Sequence, residues 1–339
     1  MSTPTEPRLS TPVVDLHTHF FPETWPDLAG RFGGEWPWMR RDTADTAMVM
    51  MGSREFRPIT SACWDRDVRI AAMDRDGIDH QVVSATPVLF AYQRAAEHAI
   101  ECARIFNDAL LEITTPSNGR LIPLCQVPLQ DTDAACRELE RCLASGHVGV
   151  QIGNHVGDRD LDDAQLVTFL QHCASHNAPV FVHPWDMFSG CRLEQWMLEW
   201  TVSMPAETQL SLNRMILGGA FDQLPRNLRM CFAHGGGSFT WLLGRLENAW
   251  QRRDVVRGMS KSNPMSYLDR FSVDSAVFDE RALRFLLDVM GTGRVLLGSD
   301  YPFPLGEERV GSLIRNAGLA TDTTAAVLGG NAMEFLGLA

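Results

Sequence analysis

The residues of this chain that could do chemistry gather at the ends of short apolar runs. A histidine pair with one residue between, His17 and His19, closes VVDLHTHF (13–20). His183 closes PVFVHPW (179–185), His234 closes LRMCFAHGG (228–236) and Asp300 closes RVLLGSDYP (294–302). Residues i and i+2 of a strand point to one side, so His17 and His19 offer two imidazoles to one ion. The neutral imidazoles of His17, His19 and His183 with the carboxylate of Asp300 suit Zn²⁺ and leave a coordination position open. A divalent ion there lowers the pKa of a water from about 15.7 to about 7 and so supplies a nucleophile at neutral pH. His234 is the candidate general base, because imidazole exchanges protons near neutrality. Asp300 is a candidate to share that proton work while it holds the metal. A single histidine on an apolar strand is more often a hydrogen-bonded core residue. Recurrence at four strand ends turns the reading toward a metal site.

The elements that must position these residues recur without a fixed sequence period. Eight apolar runs read as strands: the four above and DHQVVSATP (79–87), LIPLCQVPL (121–129), HVGVQIG (147–153) and FSVDSAV (271–277). Most lack polar/apolar alternation, as strands covered on both faces do. Helical patterns lie between them, at 66–77, 92–115, 132–145, 163–177, 194–217, 238–257, 279–290 and 321–335. Strands alternating with helices point to an α/β fold, a (β/α)₈ TIM-like barrel, with an open doubly wound sheet as the other candidate. One domain is expected over residues 13–339. Residues 21–65, rich in Trp, Met, Gly and Pro, read as a small insertion over the barrel mouth, the alternative being a disordered flap. Residues 1–12 read as a disordered lead-in with no secretory pattern.

Composition removes several function classes. The chain has 339 residues and a formal net charge of −12, which argues against nucleic acid as a partner. No apolar run reaches the roughly 18 residues of a membrane span. The 8 cysteines are scattered with no CxxC pair, which suggests reduced thiols in a cytoplasmic protein. The only lysine is Lys261, in the loop-like SKSNP, so a Schiff-base cofactor such as pyridoxal phosphate is nearly excluded. Gly235, Gly236 and Gly237 would allow backbone to approach a ligand closely, though no Walker or GxGxxG spacing surrounds them. His80, His98, His147, His155, His172 and His176 read as surface or capping residues, with His155 the one that could also face the mouth. Arg57, which closes the insertion, and Arg245, beyond the sixth strand, stand out by context, since guanidinium groups bind carboxylates in bidentate fashion.

HxH on strand one, His on strands five and six and Asp on strand eight resemble the amidohydrolase superfamily. Its binuclear members use a carboxylated lysine on strand four, where this chain offers Gln151, so the resemblance implies one metal per subunit. DLHTHFFP, EFRPITSACWD, GHVGVQIGNHVGDRDLDD, VHPWDM, HGGGSFTWLLGRLENAWQRRD and LGSDYPFPLGE are similar to the family of 2-amino-3-carboxymuconate-6-semialdehyde decarboxylases, from residue 13 to the C-terminus. That resemblance implies Zn²⁺ on His17, His19, His183 and Asp300, no organic cofactor, and His234 as general base. It implies a small acidic semialdehyde as substrate, with Arg57 on a carboxylate and Trp196 and Phe303 lining the pocket. It also implies a homodimer in which Arg245 reaches the neighbouring active site. A mononuclear site alone suggests hydrolysis or deamination, and decarboxylation enters only with the resemblance. A metal-dependent hydrolase or lactonase of a ring-cleavage acid stays open beside it, as does a decarboxylase of an isomeric or phenolic acid.

Overall fold

The computed structural model describes residues 11–338. The lead-in expected at 1–12 falls almost wholly outside them. Thirteen strands form in chain order: β1 (Val14–Phe20), β2 (Pro37–Arg41), β3 (Thr46–Met51), β4 (Arg54–Thr60), β5 (His80–Ala85), β6 (Leu121–Cys125), β7 (Gly149–Gly153), β8 (His155–Val156), β9 (Arg159–Asp160), β10 (Val180–His183), β11 (Met230–Phe232), β12 (Ser272–Asp274) and β13 (Val295–Leu296). Eight of them make one parallel sheet in the order β1-β5-β6-β7-β10-β11-β12-β13, and these are the eight runs read from the sequence. The sheet closes on itself. Leu16 N–H donates to the Leu297 carbonyl at 2.8 Å, Asp300 N–H to His17 at 2.9 Å and His19 N–H to Tyr301 at 2.8 Å. The fold is therefore a barrel, and the open doubly wound sheet is set aside.

Aspartates start four of the surrounding helices. Asp65, Asp131, Asp163 and Asp279 each accept a hydrogen bond from a backbone N–H in the first turn of the helices Arg66–Asp76, Thr132–Ser145, Ala164–Ser175 and Glu280–Met290. Three helical patterns form differently from their expected spans. The 194–217 pattern begins only at Glu199, with a π-helical stretch Glu199–Ser203 leading into Met204–Leu217, because Trp196 and Met197 take left-handed backbone (φ +57° and +56°). The 238–257 pattern splits at the extended Arg253 into Phe239–Arg252 and Asp254–Arg257. The 321–335 pattern passes through a π-helical stretch, Ala326–Gly330. There the Pro12 carbonyl packs so closely on Gly329 that a Cβ would collide with it.

The 21–65 segment is ordered. After a short helix, Leu28–Phe32, it makes a three-stranded antiparallel sheet, β2-β3-β4. Val49, Met50 and Ile59 of this sheet are buried with Trp36, and the Trp25 indole donates to the Pro37 carbonyl at 2.8 Å. The β3–β4 pairing shifts by one residue between Val49 and Met50, where Val49 faces Arg57 and Met50 faces Glu55. A bulge of this kind re-aims the side chains that follow it, here beside Arg57.

Candidate active site

Val14 and Leu16 pack with Val82, Leu124, Phe181 and Leu296, and with Phe335 and Leu336 of the last helix, Asn331–Leu336. Phe181 also lies 5.0 Å, ring to ring, from His17. Leu16 and His17, neighbours in sequence, thus reach the same interior group. The pairing explains this: β1 advances from Asp15 to Thr18 while β5 advances only from Gln81 to Val83. The extra residue inverts the phase, so apolar Val14 and Leu16 fill the cluster with Phe181 and the next inward pair is His17 and His19.

Four histidines and one aspartate converge. The Nε2 atoms of His17 and His19 are 3.1 Å apart, and they lie 3.5 and 3.2 Å from Asp300 Oδ1. His183 stands 5.1 Å from His17 and 4.9 Å from His19, ring to ring. One ligand atom each from His17, His183, His234 and Asp300 falls within 4.8 Å of the others. His17 Nδ1–H donates to Asp274 Oδ2 at 2.6 Å and His183 Nδ1–H to the Pro184 carbonyl at 2.7 Å. Each bond fixes the tautomer whose Nε2 lone pair points at the common centre. Facing lone pairs beside a carboxylate repel one another unless a cation lies between them, so these residues fit a divalent metal.

The protonation states agree. Burial and the neighbouring histidines hold His183 well below the ordinary imidazole range, and burial lowers His19 to about 4. Burial works against ionised Asp300, but the neighbouring histidines, His19 and His234 foremost, outweigh it and hold the carboxyl well below its ordinary value. Neutral imidazoles and an ionised carboxylate are the forms that bind a metal. Burial also opposes charge on His17, yet Asp274 foremost, with Asp300 and Asp15, outweighs it and makes this ring more basic.

Asp274 escaped the sequence reading. It ends β12, fully buried, and its Oδ1 accepts from Gly235 N–H at 2.9 Å. One carboxylate thus holds both His17 and the turn that carries His234. The available signal was its place at a strand end, in VDSAV. Asp15 ties β1 to the Asp300 segment, accepting from Ser299 Oγ at 2.6 Å, and burial pushes its pKa up to about 7. Fully buried Arg69 donates to Gln81 Oε1 at 2.8 Å and to the His19 carbonyl, fixing β1 between its two histidines.

The other expected site residues divide. Phe303 stacks on His19 with centroids 5.4 Å apart, and Arg57 lies 4.3 Å above the Phe303 ring. Burial lowers the Arg57 pKa, and Arg57 has no hydrogen bond or salt bridge among the described residues. Asp300 attracts it only through space, and a half-buried guanidinium with no carboxylate bonded to it is prepared for an anion. Trp196 is 83% exposed, in left-handed backbone, and no ring contact ties it to the cluster among the described residues. Trp200 stands there instead, 5.9 Å from the Arg57 guanidinium. Arg245 is exposed on the helix Phe239–Arg252, also without a partner among the described residues. The positive-φ glycines after His234 serve packing: a Cβ on Gly235 would strike Val277, and one on Gly237 the Pro205 carbonyl. Gln151 accepts from Ser84 Oγ and donates to the Ala85 carbonyl at 2.7 Å. His155 lies against Trp185, with its ring nitrogens on the Gly157 and Trp185 carbonyls.

The amidohydrolase family matches residues 14–338, nearly the whole barrel. The chain belongs to the amidohydrolase family. Among its members, the chain is 44% identical over 329 residues to the 2-amino-3-carboxymuconate-6-semialdehyde decarboxylase of Dictyostelium discoideum, covering 96% of this chain and 91% of the relative. The apo IDCase of Metarhizium anisopliae superposes with a TM-score of 0.83 at 25% identity, over 97% of this chain and 98% of that one. The 5-carboxyvanillate decarboxylase of Novosphingobium aromaticivorans, solved with manganese and a nitrobenzoic acid, has a TM-score of 0.73 at 26% identity, over 82% of each chain. These amidohydrolase relatives share the barrel that brings His17, His19, His183, His234 and Asp300 together here.

Proposed function

We propose that this amidohydrolase removes CO₂ from 2-amino-3-carboxymuconate 6-semialdehyde without oxidation, giving 2-aminomuconate 6-semialdehyde. The observation that carries the reading is the 44% identity, over nearly the full chain, to a decarboxylase of that name. The site geometry supports it. His17, His19, His183 and Asp300 would hold one Zn²⁺, which supplies a Lewis acid and an acidified water at neutral pH. Two fixed imidazole tautomers suit zinc, and the manganese in the Novosphingobium relative marks the competing ion. Gln151, occupied by Ser84 and Ala85, leaves no bridging ligand for a second ion beside it.

His234 takes the proton from water, and Arg57 holds a carboxylate of the substrate over the Phe303 ring. The hydroxide so formed would add to the carbon next to the one that bears the departing carboxylate, and that second carbon would take the proton back from His234; the bond to the carboxylate then breaks, CO₂ leaves, and the electron pair re-forms the double bond as hydroxide departs. The 21–65 sheet covers the barrel mouth, since it delivers Arg57 to the histidine cluster, and the rest of the described chain forms one barrel domain around it. Eight free cysteines suit a cytoplasmic protein. Among the described residues, no helix is long and apolar enough to cross a membrane.

The test is product analysis on freshly generated substrate with metal-loaded protein. Loss of substrate with one CO₂ per turnover is expected. An unchanged substrate, with metal confirmed in the protein, overturns the assignment, and CO₂ from a hydroxybenzoate instead would move it to phenolic acids.

The exposed, unpartnered Arg245 completes the carboxylate clamp from a second copy of the chain. Arg57→Ala and Arg245→Ala variants should each be inactive alone. Mixed, they should regain up to about one quarter of wild-type activity, because half the dimers are then hybrids with one intact site of two. No recovery after demonstrated subunit exchange would place Arg245 outside the site.

A further inference from the structure

We propose a second metal site on the outer wall of the barrel, for a divalent transition-metal ion of zinc's class, built from Glu140, His172 and His176. It lies apart from the histidines of the barrel mouth and does not depend on the reaction proposed above. Glu140 is on the helix Thr132–Ser145, and His172 is in the last turn of Ala164–Ser175, which His176 caps. Two histidines four residues apart share one helix face, the spacing by which a helix grips a metal. Here one ligand atom from each of the three residues lies within 4.8 Å of the other two.

The donor atoms are oriented as ligands. His172 Nε2 is buried and stands 3.1 Å from Glu140 Oε1, yet it has no aligned hydrogen bond among the described residues. His176 Nδ1 lies 3.1 Å from both the His172 carbonyl and Ser175 Oγ, and with its proton on Nδ1 the ring keeps the Nε2 lone pair for a metal. The two rings are 4.3 Å apart and tilted by 44°. With His172 protonated the same approach is an ion pair with Glu140, and the metal titration below separates the two. The negative end of the helix Ala164–Ser175 favours a cation at this place as well. Two imidazoles and a carboxylate form a borderline donor set suited to Zn²⁺, with water completing the shell. An ion bound there joins the helix Thr132–Ser145 to the helix Ala164–Ser175.

The test uses the holoenzyme with its barrel site already filled, titrated with Zn²⁺ in equilibrium dialysis with metal analysis. A second equivalent per chain should bind and should raise the unfolding temperature. His176→Ala changes an exposed residue and Glu140→Gln keeps the shape of the side chain, so both variants should fold. Each should lose the second equivalent and the thermal shift while keeping the first equivalent and full activity. Uptake of no second equivalent by the wild type overturns the site, and so does a second equivalent that persists in both variants.

Discussion

His17→Ala should lose bound metal and activity together, with kcat/KM falling by about 10³-fold or more, because in the proposed reaction the ion would supply both the nucleophile and the Lewis acid. The ring is the most connected of the cluster. Its Nε2 faces His19 and Asp300, and its Nδ1 is held at 2.6 Å by Asp274. Asp274→Ala is the graded version of the same experiment. It keeps the ligand but frees its orientation and tautomer, and should cost about 10–100-fold in metal affinity. Metal analysis beside steady-state kinetics checks both variants. Stoichiometric metal with undiminished activity in His17→Ala would remove the cluster from the mechanism.

His234→Ala should keep its metal and fold yet lose about 10²–10⁴-fold in kcat, the range for removing a general acid–base group. The geometry makes the metal readout as informative as the rate. His234 falls within the same 4.8 Å group as His17, His183 and Asp300, and its Nε2 is 3.9 Å from Asp300 Oδ2. Its Nδ1 and that of His19 are both buried without a hydrogen-bond partner among the described residues, so neither ring is committed to one tautomer as His17 and His183 are. Loss of metal together with rate would make His234 a ligand and pass the role of base to His19. An unchanged kcat would remove His234 from proton transfer.

Much of this protein was legible in its sequence because the relevant physics is local. Strands buried on both faces must be continuous apolar runs, and all eight barrel strands, β1 to β13 with the insertion and hairpin strands left out, formed within the runs read in advance. In such a run a histidine or an aspartate stands out, which exposed His17, His19, His183, His234 and Asp300 before any geometry was known. The 21–65 segment showed its packing through its tryptophans, though not its pairing. Helix limits were less legible at Trp196–Met197 and at Arg253, where left-handed and extended backbone interrupts patterns that read as continuous.

Long-range approach decided the rest. Asp274 sits 257 residues from His17, and nothing local marks one aspartate among many as the partner of a particular imidazole. The extra residue in β1 is visible only against its neighbour β5, since a bulge is a mismatch between two strands. Trp196 and Trp200 lie four residues apart, and nothing local tells that the first stands exposed while the second lies 5.9 Å from the Arg57 guanidinium. Residue types and their spacing determined the barrel and its candidate ligands. The tertiary structure decided which atoms meet, because hydrogen-bond partners, tautomers and unpaired charges depend on distances between segments far apart in the chain.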